Sequence, residues 1–283
     1  MMQNENDNHV RFNRLVLLPA LVIFLLCQLF SWKPVEISYA GEDSRALPGA
    51  PLCAEPTFEL TPNQLSTSLW ARQIVSAETG GKVLRQHTRD LDTLYGDAAV
   101  AHKHLKQITL NIAACTGGTA VFPPGGGLKG RKRAEEKIEV ELGGDASLLM
   151  DITRSSIAYD TVDQVYGALE YILRQGYEVV RLKDRALEPL PSGFWDIHLN
   201  LRMPNGHIAE LQLHLKKIQA YSNGPGHRLY EKIRGMESKA FREKRSLTPE
   251  ERESIDRFNC EQRRFYQAAF KQGQIVSKET NGR

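Results

Sequence analysis

The chain has 283 residues, 41% hydrophobic and 25% charged, a balance that fits one main globular domain with extensions. Its formal charge of +3 is too small to mark a nucleic-acid binder by itself. No C-x-x-C pair, zinc spacing or GxxxxGK phosphate loop occurs, which argues against a zinc module and an ordinary P-loop nucleotidase.

In chain order, Arg11 and Arg14 precede an apolar stretch from Leu15 to Cys27 that Leu29, Phe30 and Trp32 extend. Ser38-Tyr39-Ala40 then sets small residues where a signal peptidase reads, before Gly41, so residues 1–40 have the layout of a secretory signal. An uncleaved inner-membrane anchor through residues 15–32 is the alternative. Either way the following chain is expected outside the cytoplasm, periplasmic, secreted or tethered. Without Cys27, three cysteines remain (Cys53, Cys115 and Cys260), enough for one intramolecular disulfide and a leftover thiol, with the pairing open.

Residues 41–60 lack periodicity and read as a linker. Thr61-Pro62-Asn63-Gln64 has the form of a capping box and predicts a helix to about Ala77. Leu91, Leu94, Tyr95, Ala98, Ala101, Leu105, Ile108 and Ile112 recur at helical spacing and predict a longer helix over about 84–115. A Gly/Pro loop closes this 61–127 helical extension and leads into a basic run at Lys129, Arg131, Lys132 and Arg133. Alone, such a run is as readily a solvated helix start.

A strand is expected from Ile152 to Tyr159, then a helix capped by Thr161 and stopped at Gly176, then a strand from Tyr177 to Leu182. That order predicts a parallel pair covered by the helix. Strands over 194–202 and 207–214 flank Pro204-Asn205-Gly206. A three-residue loop with Gly206 in the left-handed region sets Asn200 opposite Glu210 and His198 opposite Gln212, which keeps the apolar residues on one face. The other face gathers His198, Asn200, Glu210, Gln212 and His214, either a wet sheet surface or a site. Beyond Leu215 the chain reads as polar helix, with Thr248-Pro249 opening the last one.

The ordered motifs Lys129-Gly130-Arg131 to Lys137, Asp151-Ile152, Lys183-Asp184, Ser192-Gly193-Phe194, His198, Glu210-Leu211-Gln212-Leu213-His214 and Gly226-His227-Arg228 resemble the synthetase domain of the RelA/SpoT family. The resemblance runs from about Leu128 to Arg234, a little over a third of the chain. It implies an α+β fold, a mixed-sheet nucleotidyltransferase-like core over 128–240, with a helical C-terminal extension over 241–283. It also implies pyrophosphate transfer from ATP to the 3′-hydroxyl of GTP or GDP in guanosine tetraphosphate metabolism. Asp151 and Glu210 match the carboxylates that hold Mg²⁺ and deprotonate the acceptor. Lys129, Arg131 and Lys137 match the ATP-binding segment, and Arg154 is a shifted counterpart of the family's arginine. Lys183, His198 and Gln212 match nucleotide-binding positions, and Phe194 stands where the family stacks a Tyr on guanine.

Leu190, Ser192 and His214-Leu215 depart from the family pattern, which opens the acceptor to another nucleotide or to RNA. DNA is not implied. Exported members of the family include toxins, which suggests an effector role. A catalytically inactive nucleotide- or RNA-binding module is the alternative.

Overall fold

Thr61 caps helix α1 (Pro62–Thr79) as expected, with the Thr61 and Gln64 side chains each bonding the other's backbone N–H. The computed structural model describes residues 53–80, 82–123 and 127–281, within the unit that begins at Leu52. The expected signal or anchor and most of the linker lie outside the described residues. Among the described residues, no helix is long and apolar enough to cross a membrane.

Helix α2 (Leu91–Thr116) starts later than the apolar spacing suggests. Asp90 caps it by accepting from the Thr93 N–H. The segment ahead of it is non-helical: the Gln86 N–H donates to the Ser147 carbonyl at 2.7 Å, and the Gln86 side-chain amide accepts from the Ile208 N–H and donates to the Ile208 carbonyl, each at 2.9 Å. Leu84, there expected in the helix, packs beside Met150, Val180 and Ile208 instead.

After β1 (Thr119–Val121) and α3 (Arg131–Glu141) come β2 (Arg154–Tyr159), α4 (Val162–Arg174), β3 (Val179–Asp184), β4 (Ile197–Arg202) and β5 (Ile208–Leu215). The five strands form one mixed sheet in the order β1–β2–β5–β4–β3. The expected parallel pairing of β2 with β3 therefore does not occur. β3 joins β4, and β4 joins β5, as antiparallel neighbours, so β5 is the strand that lies parallel to β2. Short connections favour these neighbours, and β2 and β3 keep a common direction with two strands between them.

The hairpin has the register that its hydrophobic pattern selects: Asn200 faces Glu210 and His198 faces Gln212. Gly206 takes a φ of +82° and donates its N–H to the Met203 carbonyl at 2.8 Å. Ile197, Leu199, Leu201, Ala209, Leu211 and Leu213 are buried in one cluster with residues of α1, α2 and α4. After α5 (Lys216–Ser222) and α6 (Pro225–Arg242), helix α7 (Pro249–Asn281) adds Tyr266, Ala269 and Phe270 to the same cluster. The helices flanking residues 128–240 thus share the core of the sheet. Cys53 and Cys260 form a disulfide, leaving Cys115 as an exposed free thiol.

Candidate active site

Asp151 lies just ahead of β2, and Glu210 is the third residue of β5, opposite Arg154 across the parallel ladder. The Glu210 N–H donates to the Thr153 carbonyl at 3.1 Å, which closes the ladder at the end where Asp151 emerges. Both carboxylates are buried, each residue 6% exposed. A carboxylate this dry needs charged or hydrogen-bonding partners.

Asp151 has two. Lys129 Nζ donates to its Oδ2 at 2.7 Å and Lys137 Nζ at 3.0 Å. The basic run reaches it because Leu128 bridges Thr153 and the Lys129 N–H donates to the Ile152 carbonyl at 2.7 Å. α3 then begins, presenting Lys137 to the same oxygen. Burial alone would raise the Asp151 pKa; the Lys137 and Lys129 ammoniums outweigh it and hold the carboxyl well below the usual range. Its other oxygen, Oδ1, is buried with no hydrogen-bond partner among the described residues.

Glu210 shifts the opposite way. Burial, reinforced by the Asp151 charge, pushes its pKa up to about 7, with Arg154, Lys137 and Lys129 pulling against that rise. His198 Nε2 lies 3.5 Å from Glu210 Oε2. Burial and the charges of Arg181, Lys183 and Arg185 lower the imidazole to about 3, so it is neutral at ordinary pH. Two neighbouring carboxyl groups are thereby separated in role: one fixed as an anion, one poised to exchange a proton.

Gln212 sits two residues further along β5, with His214 Nε2 at 3.1 Å from its Oε1. Phe194, the first expected residue of β4, lies ahead of the strand in the loop that leads into it. Its ring meets His214 and Tyr266 edge-on, at centroid distances of 5.8 and 5.4 Å. Lys183 faces His198 across β3–β4, and burial lowers its pKa.

Arg131 is engaged elsewhere. Its guanidinium is exposed, paired with Asp92 and Glu135, and lies 5.6 Å from the centre of the Tyr95 ring. Arg181, absent from the expected set, lies in the same cluster: its Nε donates to Asn200 Oδ1 at 2.7 Å, and burial lowers its pKa against the pull of Glu210 and Asp151. Its alternation with Lys183 along β3 was the available signal. Asp196 was also missed. It is buried, pushed up to about 7 by desolvation, with Arg185 Nε 3.9 Å away.

No protein-family model and no curated protein matches this sequence. Among solved structures, the small alarmone synthetase 1 from Bacillus subtilis bound to its product pppGpp is similar at 16% identity and a TM-score of 0.50, covering 68% of this chain and 96% of that one. The chain has the synthetase fold of the small alarmone synthetases. The small alarmone synthetase 2 from Bacillus subtilis is 14% identical, with a TM-score of 0.49 and coverage of 66% and 98%. The Type VI effector Tas1, in complex with its immunity protein, is 21% identical, with a TM-score of 0.47 and coverage of 64% and 96%. Within this synthetase fold, the α+β core that the motifs imply is the one observed, and its β2–β5 seam carries the two carboxylates.

Proposed function

We propose that the protein transfers pyrophosphate from ATP to the 3′-hydroxyl of a guanosine or other nucleotide. The observation that carries this reading is the buried Glu210, with a pKa near neutrality, beside an Asp151 held ionised by two lysines. In the transfer, the acceptor 3′-oxygen bonds to the β-phosphorus of ATP. The bond from that phosphorus to the α–β bridging oxygen breaks, AMP leaves, and the hydroxyl proton passes to Glu210. A base with a pKa near 7 is well matched to that task.

Lys129, Lys137 and Arg154 supply positive charge on the donor side, while His198, Gln212, Lys183 and Arg181 line the side reached by the acceptor. The unpartnered Asp151 Oδ1 and the Glu210 carboxylate suit a Mg²⁺ ion. No group of three His, Cys, Asp or Glu side chains among the described residues could hold a metal, so phosphate oxygens and water would complete its shell, as magnesium favours. Bound there, the ion supplies charge to the triphosphate that the lysines alone do not neutralise.

We propose further that the protein is exported and that this chemistry is used in a recipient that holds ATP, as an effector or toxin. The Cys53–Cys260 disulfide supports passage through an oxidising compartment. Incubation of the protein with labelled ATP, Mg²⁺ and, separately, GTP, GDP, adenine nucleotides and RNA tests the reading and identifies the acceptor. Transfer abolished by Glu210→Gln is the expected result. Absence of transfer to every acceptor overturns it; ATP binding without turnover would then point to a non-catalytic module of the same fold.

A further inference from the structure

Cys260, Arg263, Gln267, Phe270 and Gln274 recur at spacings of three and four and so share one face of α7. Each meets the segment that precedes α1. Cys260 is bonded to Cys53, and Arg263 Nη1 donates to the carbonyls of Cys53, at 3.0 Å, and Ala54. Gln267 donates to the Thr57 carbonyl at 3.4 Å, Phe58 packs edge-on against Phe270, and Gln274 donates to the Glu59 carbonyl at 2.8 Å. Fourteen helical residues rise about 21 Å, which six extended residues span at about 20 Å, so strap and helix stay in step from end to end.

Two of these five also reach the segment that leads into β4: Phe270 packs edge-on against Trp195, and Arg263 holds the backbone. Its Nη2 and Nε donate to the Pro191 carbonyl at 2.6 and 3.1 Å, and the residue is only 7% exposed. A Cβ at Gly193 would lie 3.1 Å from the Arg263 Cα and Cγ, and Gly193 has a φ of +70°. The loop therefore lies close against α7, and Phe194 follows, touching Tyr266. One guanidinium thus ties three backbone carbonyls from two distant segments, a fork no ammonium reproduces.

We propose that Arg263 is a positioning residue for the Pro191–Phe194 loop and that the Cys53–Cys260 disulfide sets how firmly it holds. The assignment of that loop to the acceptor rests on the pyrophosphate-transfer reading. Opening the disulfide takes two electrons and two protons and yields two thiols. The strap then loses its covalent end beside Arg263, and the arginine loses the fixed carbonyls that aim it at Pro191. The donor side, built from α3 and the start of β2, does not touch this zipper and is left in place.

The full oxidised chain, the same chain reduced by a phosphine that ends as phosphine oxide, Cys53→Ser/Cys260→Ser, Arg263→Met and Arg263→Lys are compared. Amide exchange over 189–196 is expected to quicken about tenfold on reduction and in Arg263→Met, with residues 131–141 unchanged. The acceptor KM is expected to rise about tenfold while the ATP KM stays within about twofold, with Arg263→Lys intermediate. Unchanged loop exchange in reduced wild type overturns the proposal, even if Arg263→Met fails to fold; so does an equal rise in both KM values. If oxidised wild type transfers nothing, the pyrophosphate-transfer reading falls while the exchange result still decides the latch.

Discussion

The two sides of the site, proposed here for donor and acceptor, are built by different means. Lys129, Lys137 and Asp151 lie within 22 residues of one another and are joined by direct ion pairs. The segment from Asp184 to Pro191 is instead held by helices distant in sequence: Ser68 of α1 donates to Asp184, Arg72 pairs with Glu188, and Arg263 of α7 holds Pro191. Charge pairing between residues close in sequence ties the first side together. Long-range contacts make the other side depend on how the helices around it dock.

The largest test removes the residue common to both sides. Glu210→Gln is expected to lower transfer by about 10²–10⁴-fold, the usual worth of a general base, with metal-free ATP affinity nearly unchanged. Rapid-quench transfer and equilibrium dialysis read the two quantities. Next, Asp151→Asn leaves Lys129 and Lys137 without their anion and is expected to lower stability by about 3 kcal/mol, read by urea unfolding. A small loss there would mean the donor side is not held by its charges.

A smaller effect follows pH. As the proposed base, Glu210 would work ionised, so the transfer rate is expected to fall as pH drops through about 7. The same shift has a stability sign: with the folded pKa raised above 4.5, its contribution is full below the unfolded value and lost as pH rises through about 7. Above that pH, Glu210→Gln is expected to exceed wild type in stability by on the order of 2 kcal/mol, a gap that closes toward pH 4.5, measured by urea unfolding across the range. The finest test separates the two sides: Lys137→Met is expected to raise the ATP KM about tenfold and Phe194→Leu the acceptor KM a few-fold, each leaving the other constant nearly still. Crossed effects would erase the distinction.

What could be read beforehand follows the same division. The β4–β5 register was legible because one slip would have turned Leu199 and Leu211 to the polar face, and Gly206 set the loop. The Thr61, Thr161 and Thr248 caps were legible from residues three apart. The start of α2 was not, because Leu84 continues the apolar rhythm while Gln86 is withdrawn by Ile208, 122 residues away. Arg131 stood inside the basic motif yet pairs with Asp92, a partner no local pattern names. The Cys53–Cys260 pairing and the reach of Arg263 to Pro191 likewise depend on how α7 docks, which spacing alone does not encode.

The slot that β5 occupies is what joins the two carboxyl groups. That strand lies between β2 and β4, so Asp151, just ahead of β2, and Glu210, on β5, meet through the β2–β5 pairing and not through the hairpin alone. A chain in which β4 and β5 have paired but β5 has not met β2 still holds the two carboxyl groups apart.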